Sequence, residues 1–110
     1  MESILKKIQG QDKLIYTHEE ATELNELNDR VKGLYPRNKE DEKMQAKLQK
    51  EIEKLRGMIL KYSDAINELL MTDEKLTDIG IEKLQKQFRT IDTMHHKVFD
   101  DYNKAELKYN

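Results

Sequence analysis

The stretch from residue 48 to residue 69 leaves this chain little freedom. Leu48, Ile52, Leu55, Ile59, Tyr62, Ile66 and Leu69 follow one another at alternating steps of four and three residues, without a miss. A repeat averaging 3.5 residues keeps one apolar stripe along one side of an α-helix, and it requires other helices to cover that stripe. Met44 extends the stripe backwards.

Two further segments carry the same kind of stripe. Ile81, Leu84, Phe88, Ile91, His95, Val98, Tyr102, Ala105 and Tyr109 again alternate three and four, with a histidine inside the seam. Ahead of the central segment, Ile4, Ile8, Ile15, Leu24, Leu27, Val31 and Leu34 form a weaker stripe. Gly10 and Thr17-His18 dilute it, and Leu14 and Ala21 partly fill it. The first break reads "GLYPRN": Gly33 suits a left-handed cap, Pro36 prevents continuation and Asn38 caps the next helix. Glu40, Asp41 and Glu42 then face the positive end of that helix's dipole. The second break, "MTDEKLTDIG", offers Thr72, Asp73, Thr77 and Asp78 as caps, and Gly80 dilutes helix propensity.

The expected architecture is all-α: an elongated, antiparallel, up-down-up three-helix bundle with coiled-coil-like packing. One domain spans residues 1–110, with helices over about 3–33, 39–71 and 78–109. At 1.5 Å per residue each helix is about 40–48 Å long. A long antiparallel hairpin that dimerises is the alternative. Composition agrees with helices: 38% of residues are charged, with one proline and four glycines. Disorder does not fit, because the net charge is only −2 and the apolar residues are periodic.

That near-neutral balance argues against nucleic acid as a partner. Without cysteine there is no disulfide, redox chemistry or thiolate metal site. The N-terminal residues lack a secretory apolar run and no stretch of about 18 apolar residues exists, so a soluble chain is expected.

Nor does the sequence point to catalysis. His95 and His96 are neighbours, about 100° apart on a helix, and His18 lies far away, so no metal is expected. His96 has Asp92 and Asp100 four residues to either side as exposed ion-pair partners. His95 is expected to pack neutral in its seam. Acidic pairs such as Glu19-Glu20 and Asp100-Asp101 suit a solvated outer face. No nucleophile sits beside a base and no glycine-rich phosphate loop occurs, so neither an enzyme nor a cofactor is expected. Tyr102 to Glu106 has the Tyr-x-x-x-Glu form found at the tail of helical substrates of bacterial type VII secretion, but the Trp-x-Gly turn of that family is missing.

Six apolar residues fall off the seams: Met58, Leu70, Met71, Met94, Phe99 and Leu107. They either widen the buried faces of the second and third helices, or line a groove between them that accepts a partner helix.

The order of features resembles the N-terminal three-helix (Habc) regulatory domain of syntaxin-type (Qa) SNARE proteins. The residues that carry the resemblance are "GLYPRNKEDEK" at 33–43, the seam within "LQKEIEKLRGMILKYSDAI", and Tyr102-Asn103-Lys104-Ala105-Glu106-Leu107-Lys108-Tyr109. His95 departs from it, standing where a large hydrophobe is expected, as do the short polar second linker and a first segment poor in aromatics. The resemblance implies a non-enzymatic module that controls SNARE assembly in membrane fusion by binding a SNARE-motif helix, its own or a partner's, between helices two and three. It further implies a Sec1/Munc18-type partner and a place at the cytoplasmic face of a membrane. The SNARE motif, the C-terminal anchor and the N-terminal recruiting peptide of that family are missing, so the chain reads as an isolated or divergent regulatory domain. The alternatives are a stand-alone helical adaptor or scaffold that dimerises, and a bacterial secretion-associated helical partner.

Overall fold

The computed structural model describes residues 4–71 and 77–109, the side chain of Tyr109 excepted. They form four α-helices packed against one another: α1 (Ile4–Gln9), α2 (His18–Lys32), α3 (Lys39–Met71) and α4 (Asp78–Tyr109). Thr72 and Asp73, two of the candidate caps, and the seam position of the Tyr109 ring lie outside the described residues.

Helix α3 starts where Asn38 predicts. Its side-chain oxygen accepts from the Asp41 amide at 2.8 Å, closing the first turn. Leu48, Ile52, Leu55, Ile59, Tyr62 and Ile66 are all buried, and Leu69 is partly so. Sequestering side chains of this size stabilises the fold by about 1.5–3 kcal/mol each relative to full exposure. Met44, expected to continue the stripe, is instead 51% exposed, at the edge of a cleft shared with Leu34 and Ala105. At the start of α4 the Thr77 hydroxyl accepts from the Gly80 amide at 3.2 Å. Leu84, Ile91, Val98, Tyr102 and Ala105 are buried, while Ile81, Phe88 and His95 are covered only in part.

The first segment differs from expectation. A continuous helix over 3–33 is replaced by a six-residue helix, a connector and a fifteen-residue helix. Gly10, at φ +77°, takes the left-handed conformation that ends α1, and its amide donates to the Lys6 carbonyl at 2.9 Å. Thr17 then starts α2 with a capping box. Its hydroxyl accepts from the Glu19 amide at 3.2 Å, and the Glu20 carboxylate accepts from the Thr17 amide at 2.5 Å. Burial alone pushes the Glu20 carboxyl up, but these bonds outweigh it and hold the group below its usual range. Between the two signals, Tyr16 adopts φ +61°, a conformation costing about 1–3 kcal/mol that persists only where surrounding contacts enforce it. The buried residues change accordingly: Leu5, Ile8 and Tyr16 face the core, and Ile4, Leu14 and Ile15 only flank it. Gly33 is also corrected. It ends α2 at φ −80°, in the right-handed region, with its amide shared between the Asp29 and Arg30 carbonyls at 3.1 Å each.

Side-chain contacts show how the helices run. Gln45 donates to the Val31 and Leu34 carbonyls, Arg56 to Asn25, and His18 pairs with Asp64, so α3 runs against α2. Lys108 meets Asp41 at 3.4 Å, Lys97 meets Glu51 at 3.7 Å and the Phe88 ring lies 6.1 Å from that of Tyr62, so α4 runs against α3. Helix α1 packs on α4: the Gln85 amide donates to the Lys7 carbonyl at 2.7 Å. The buried Tyr62 hydroxyl adds a bond to Gln9 at 3.0 Å. The result is a rod of 54 × 19 × 18 Å.

Candidate helix-docking groove

Helices α1 and α2 attach to the α3–α4 pair from one side, leaving a furrow between α3 and α4 open on the other. Glu51 and Lys54 form its α3 wall; Arg89, Thr90, Thr93, Met94 and Lys97 form its α4 wall. These residues recur at three- and four-residue steps, so each wall is one stripe of its helix. Met94 is the apolar element of the lining and is half-buried against the core. The furrow encloses about 550 Å³, room for several side chains rather than one small molecule. Towards the end of α2 it meets a tighter apolar cleft of about 70 Å³, which includes Leu34, Met44, Leu48 and Ala105, with Lys47 and Asp101 at its edges. Glu51 borders both spaces. From Arg89 to Ala105 the combined track is about 24 Å long at 1.5 Å per residue, enough for roughly sixteen residues of helix. Lys47, Lys54, Arg89 and Lys97 outnumber Glu51 and Asp101, so the track is net basic.

The six off-seam residues do not share this surface. Met94 lines the furrow, and Met58 continues the Glu51–Lys54 stripe of α3 by one turn while packing partly on the core. Phe99 turns the other way: its ring lies 4.6 Å from that of His95, and it packs against the core. Leu70 and Met71 (88% exposed) sit at the C-terminal end of α3, whereas Leu107 (84% exposed) sits near the C-terminal end of α4. Because these helices run in opposite directions, Leu107 lies at the far end of the rod from the other two. Met44, Arg89, Thr90 and Lys97 also border these spaces; in the sequence Met44 belongs to the apolar stripe of α3, and the other three carry no apolar signal.

The histidines lie elsewhere. His18 pairs with Asp64 at 2.8 Å across α2 and α3, and His96 approaches Asp92 at 3.6 Å. Asp100, the other acid beside His96, is engaged by Lys104 at 3.1 Å. His95 is half-buried, with the Tyr16 ring edge-on at 5.3 Å and Phe99 on its other side. Burial holds its imidazole below the usual histidine range. The His96 charge adds to this, while Asp92, Glu20 and Glu23 oppose it. Tyr16 is buried to 7% exposure, and its hydroxyl donates to Asp92 at 2.5 Å. Burial and then that bond raise the phenol well above its ordinary value. Burial also pushes the Tyr62 phenol up, to about 12. Among the described residues no three histidine, aspartate or glutamate side chains are grouped to hold a metal ion, and no helix is long and apolar enough to cross a membrane.

The sequence matches no protein-family model, no curated protein and no solved structure.

Proposed function

We propose that this protein is a non-enzymatic interaction module that receives a partner helix in the α3–α4 furrow, in the manner of a syntaxin-type regulatory domain. The observation that carries this reading is the open, net-basic track with Met94 in its wall, left uncovered by α1 and α2. An amphipathic helix fits it by placing an apolar edge against Met94 and the Leu34–Met44–Leu48–Ala105 cleft, with acidic residues towards Lys54, Arg89 and Lys97. A SNARE-motif helix, the chain's own or a partner's, has the required form. In this reading the module withholds that helix from SNARE assembly at the cytoplasmic face of a membrane. It inhibits only as far as it binds the withheld form better than the free one. A Sec1/Munc18-type protein would then shift that balance.

The test is titration of isotopically labelled protein with synthetic SNARE-motif helices. Shifts should cluster at residues 51–58 and 89–97. Arg89→Glu, on an exposed wall position, should weaken binding about tenfold, equivalent to about 1.4 kcal/mol. Shifts confined to α1 and α2, or no binding by several such helices, would overturn the proposal.

A further inference from the structure

Helix α1 and the connector to Thr17 form a strap laid on the bundle, and Tyr16 is the connector's buried side chain. Tyr16 packs on Phe88 at 5.7 Å and on His95 at 5.3 Å, with its hydroxyl on Asp92. It does so at a positive φ that its side chain would not adopt unaided. Gly10, also at positive φ, makes the second bend of the same connector. Six residues of helix are too few to persist in water alone, so α1 keeps its form only while docked.

We propose that the Tyr16–His95 contact is an acid-released latch: protonation of His95 lifts Tyr16 and frees α1 with its connector, while α2, α3 and α4 stay packed. This inference is independent of the furrow on the opposite side.

The physical basis is the surroundings of the imidazole. The rings of Tyr16 and Phe99 cover it, and an imidazolium needs water or an acceptor for both ring N–H groups. From α4 it faces His96, whose charge opposes a second one, and Asp92, already accepting from Tyr16. From α2 it faces Glu20 and Glu23, of which Glu20 is committed to the Thr17 cap. Of the charged residues of α3 near this level, Glu51 and Lys54 line the furrow with Met94, one position and about 100° around the helix from His95, while Glu53 and Arg56 border α2, with Arg56 donating to Asn25. Lifting Tyr16 is therefore the direct route to hydrating the charged ring. It also relaxes the Tyr16 backbone, which lowers the free energy of the open form.

The experiment is the backbone ¹⁵N heteronuclear NOE at pH 7.5 and pH 5.0. In the wild-type protein, values for residues 4–16 should drop at pH 5.0 from rigid-backbone levels towards those of a flexible tail, with α2–α4 unchanged. His95→Phe should hold the strap at both pH values. His95→Gln, uncharged throughout, should also show no pH response, so the comparison survives if the phenylalanine variant folds poorly. His96→Gln should retain the opening. Three results overturn the latch: a strap equally ordered at both pH values, opening that persists in both His95 variants, or simultaneous loosening of all four helices.

Discussion

Replacing Gly10 with alanine tests the main departure of this fold from a continuous first helix, because the two arrangements predict opposite signs. Inside an unbroken helix, Gly→Ala stabilises by about 0.5–1 kcal/mol, since alanine loses less backbone entropy. Here Gly10 sits at φ +77°, where an L-residue pays about 1–2 kcal/mol. A Cβ at this position meets no heavy atom of the described residues within 4 Å, so crowding adds nothing and the backbone term stands alone. The expected result is a loss of about 1–2 kcal/mol, which in a chain of this size lowers Tm by about 4 °C for each kcal/mol. Gly57 supplies the control. It lies inside α3, also with open space around its Cβ position, so Gly57→Ala should stabilise by about 1 kcal/mol. Urea unfolding of both variants beside the wild type reads both effects as midpoint shifts at constant m. If Gly10→Ala raises the midpoint as Gly57→Ala does, α1 and α2 are one helix and the connector described above is wrong.

Other substitutions probe other parts of the argument. Ile59, fully buried in the α3 seam, should cost about 2–5 kcal/mol on truncation to alanine; a urea-derived loss under about 1 kcal/mol would place it outside the core. Ser63 is buried with no hydrogen-bond partner for its hydroxyl among the described residues, so Ser63→Ala should stabilise by about 0.5–1 kcal/mol, and a clear loss in the same assay would reveal a partner. Thr17→Ala removes the capping box of α2 and should cost about 1 kcal/mol by thermal unfolding, whereas an unchanged Tm would refute the cap. His95, held below the usual range when folded, takes its proton more readily in the unfolded chain. Its contribution should therefore be intact above about pH 6.5 and decline as pH falls through that value towards the folded one. Unfolding midpoints of His95→Phe should lack that component, and an identical pH profile would place the ring in solvent.

The long helices were legible because their signals are local and redundant. Seven apolar residues at alternating steps, an asparagine cap before α3 and Thr77 before α4 all point the same way. The first segment was not legible by the same means. Apolar spacing is blind to φ, so Gly10 and Thr17-His18 read as weak points in a stripe rather than as a stop and a start. The Thr17–Glu20 spacing of a capping box was there to be found. Tyr16 gave no such signal, because its partner Asp92 lies 76 residues away and only the assembled fold brings them together. Surplus methionines on α3 and α4 point to a face beyond the main seam, either a wider core or a groove. Which surplus residues share it depends on the side taken by α1 and α2, and no periodicity in α3 or α4 encodes that. Hence Met94 lines the furrow and Phe99, five residues on, packs on His95.

The pairing of α1 with α4 also sets an order of events in folding. Helices α2, α3 and α4 are neighbours in sequence, with six residues between one and the next, which favours early and rapid association. The bond from Gln85 to Lys7 closes a loop of 78 residues, an entropic cost that is small only once the intervening helices have already collapsed. Helix α1 should therefore dock last, once the α4 segment around Gln85 is in place. During synthesis, α1 would wait for a segment made 78 residues later before finding its place.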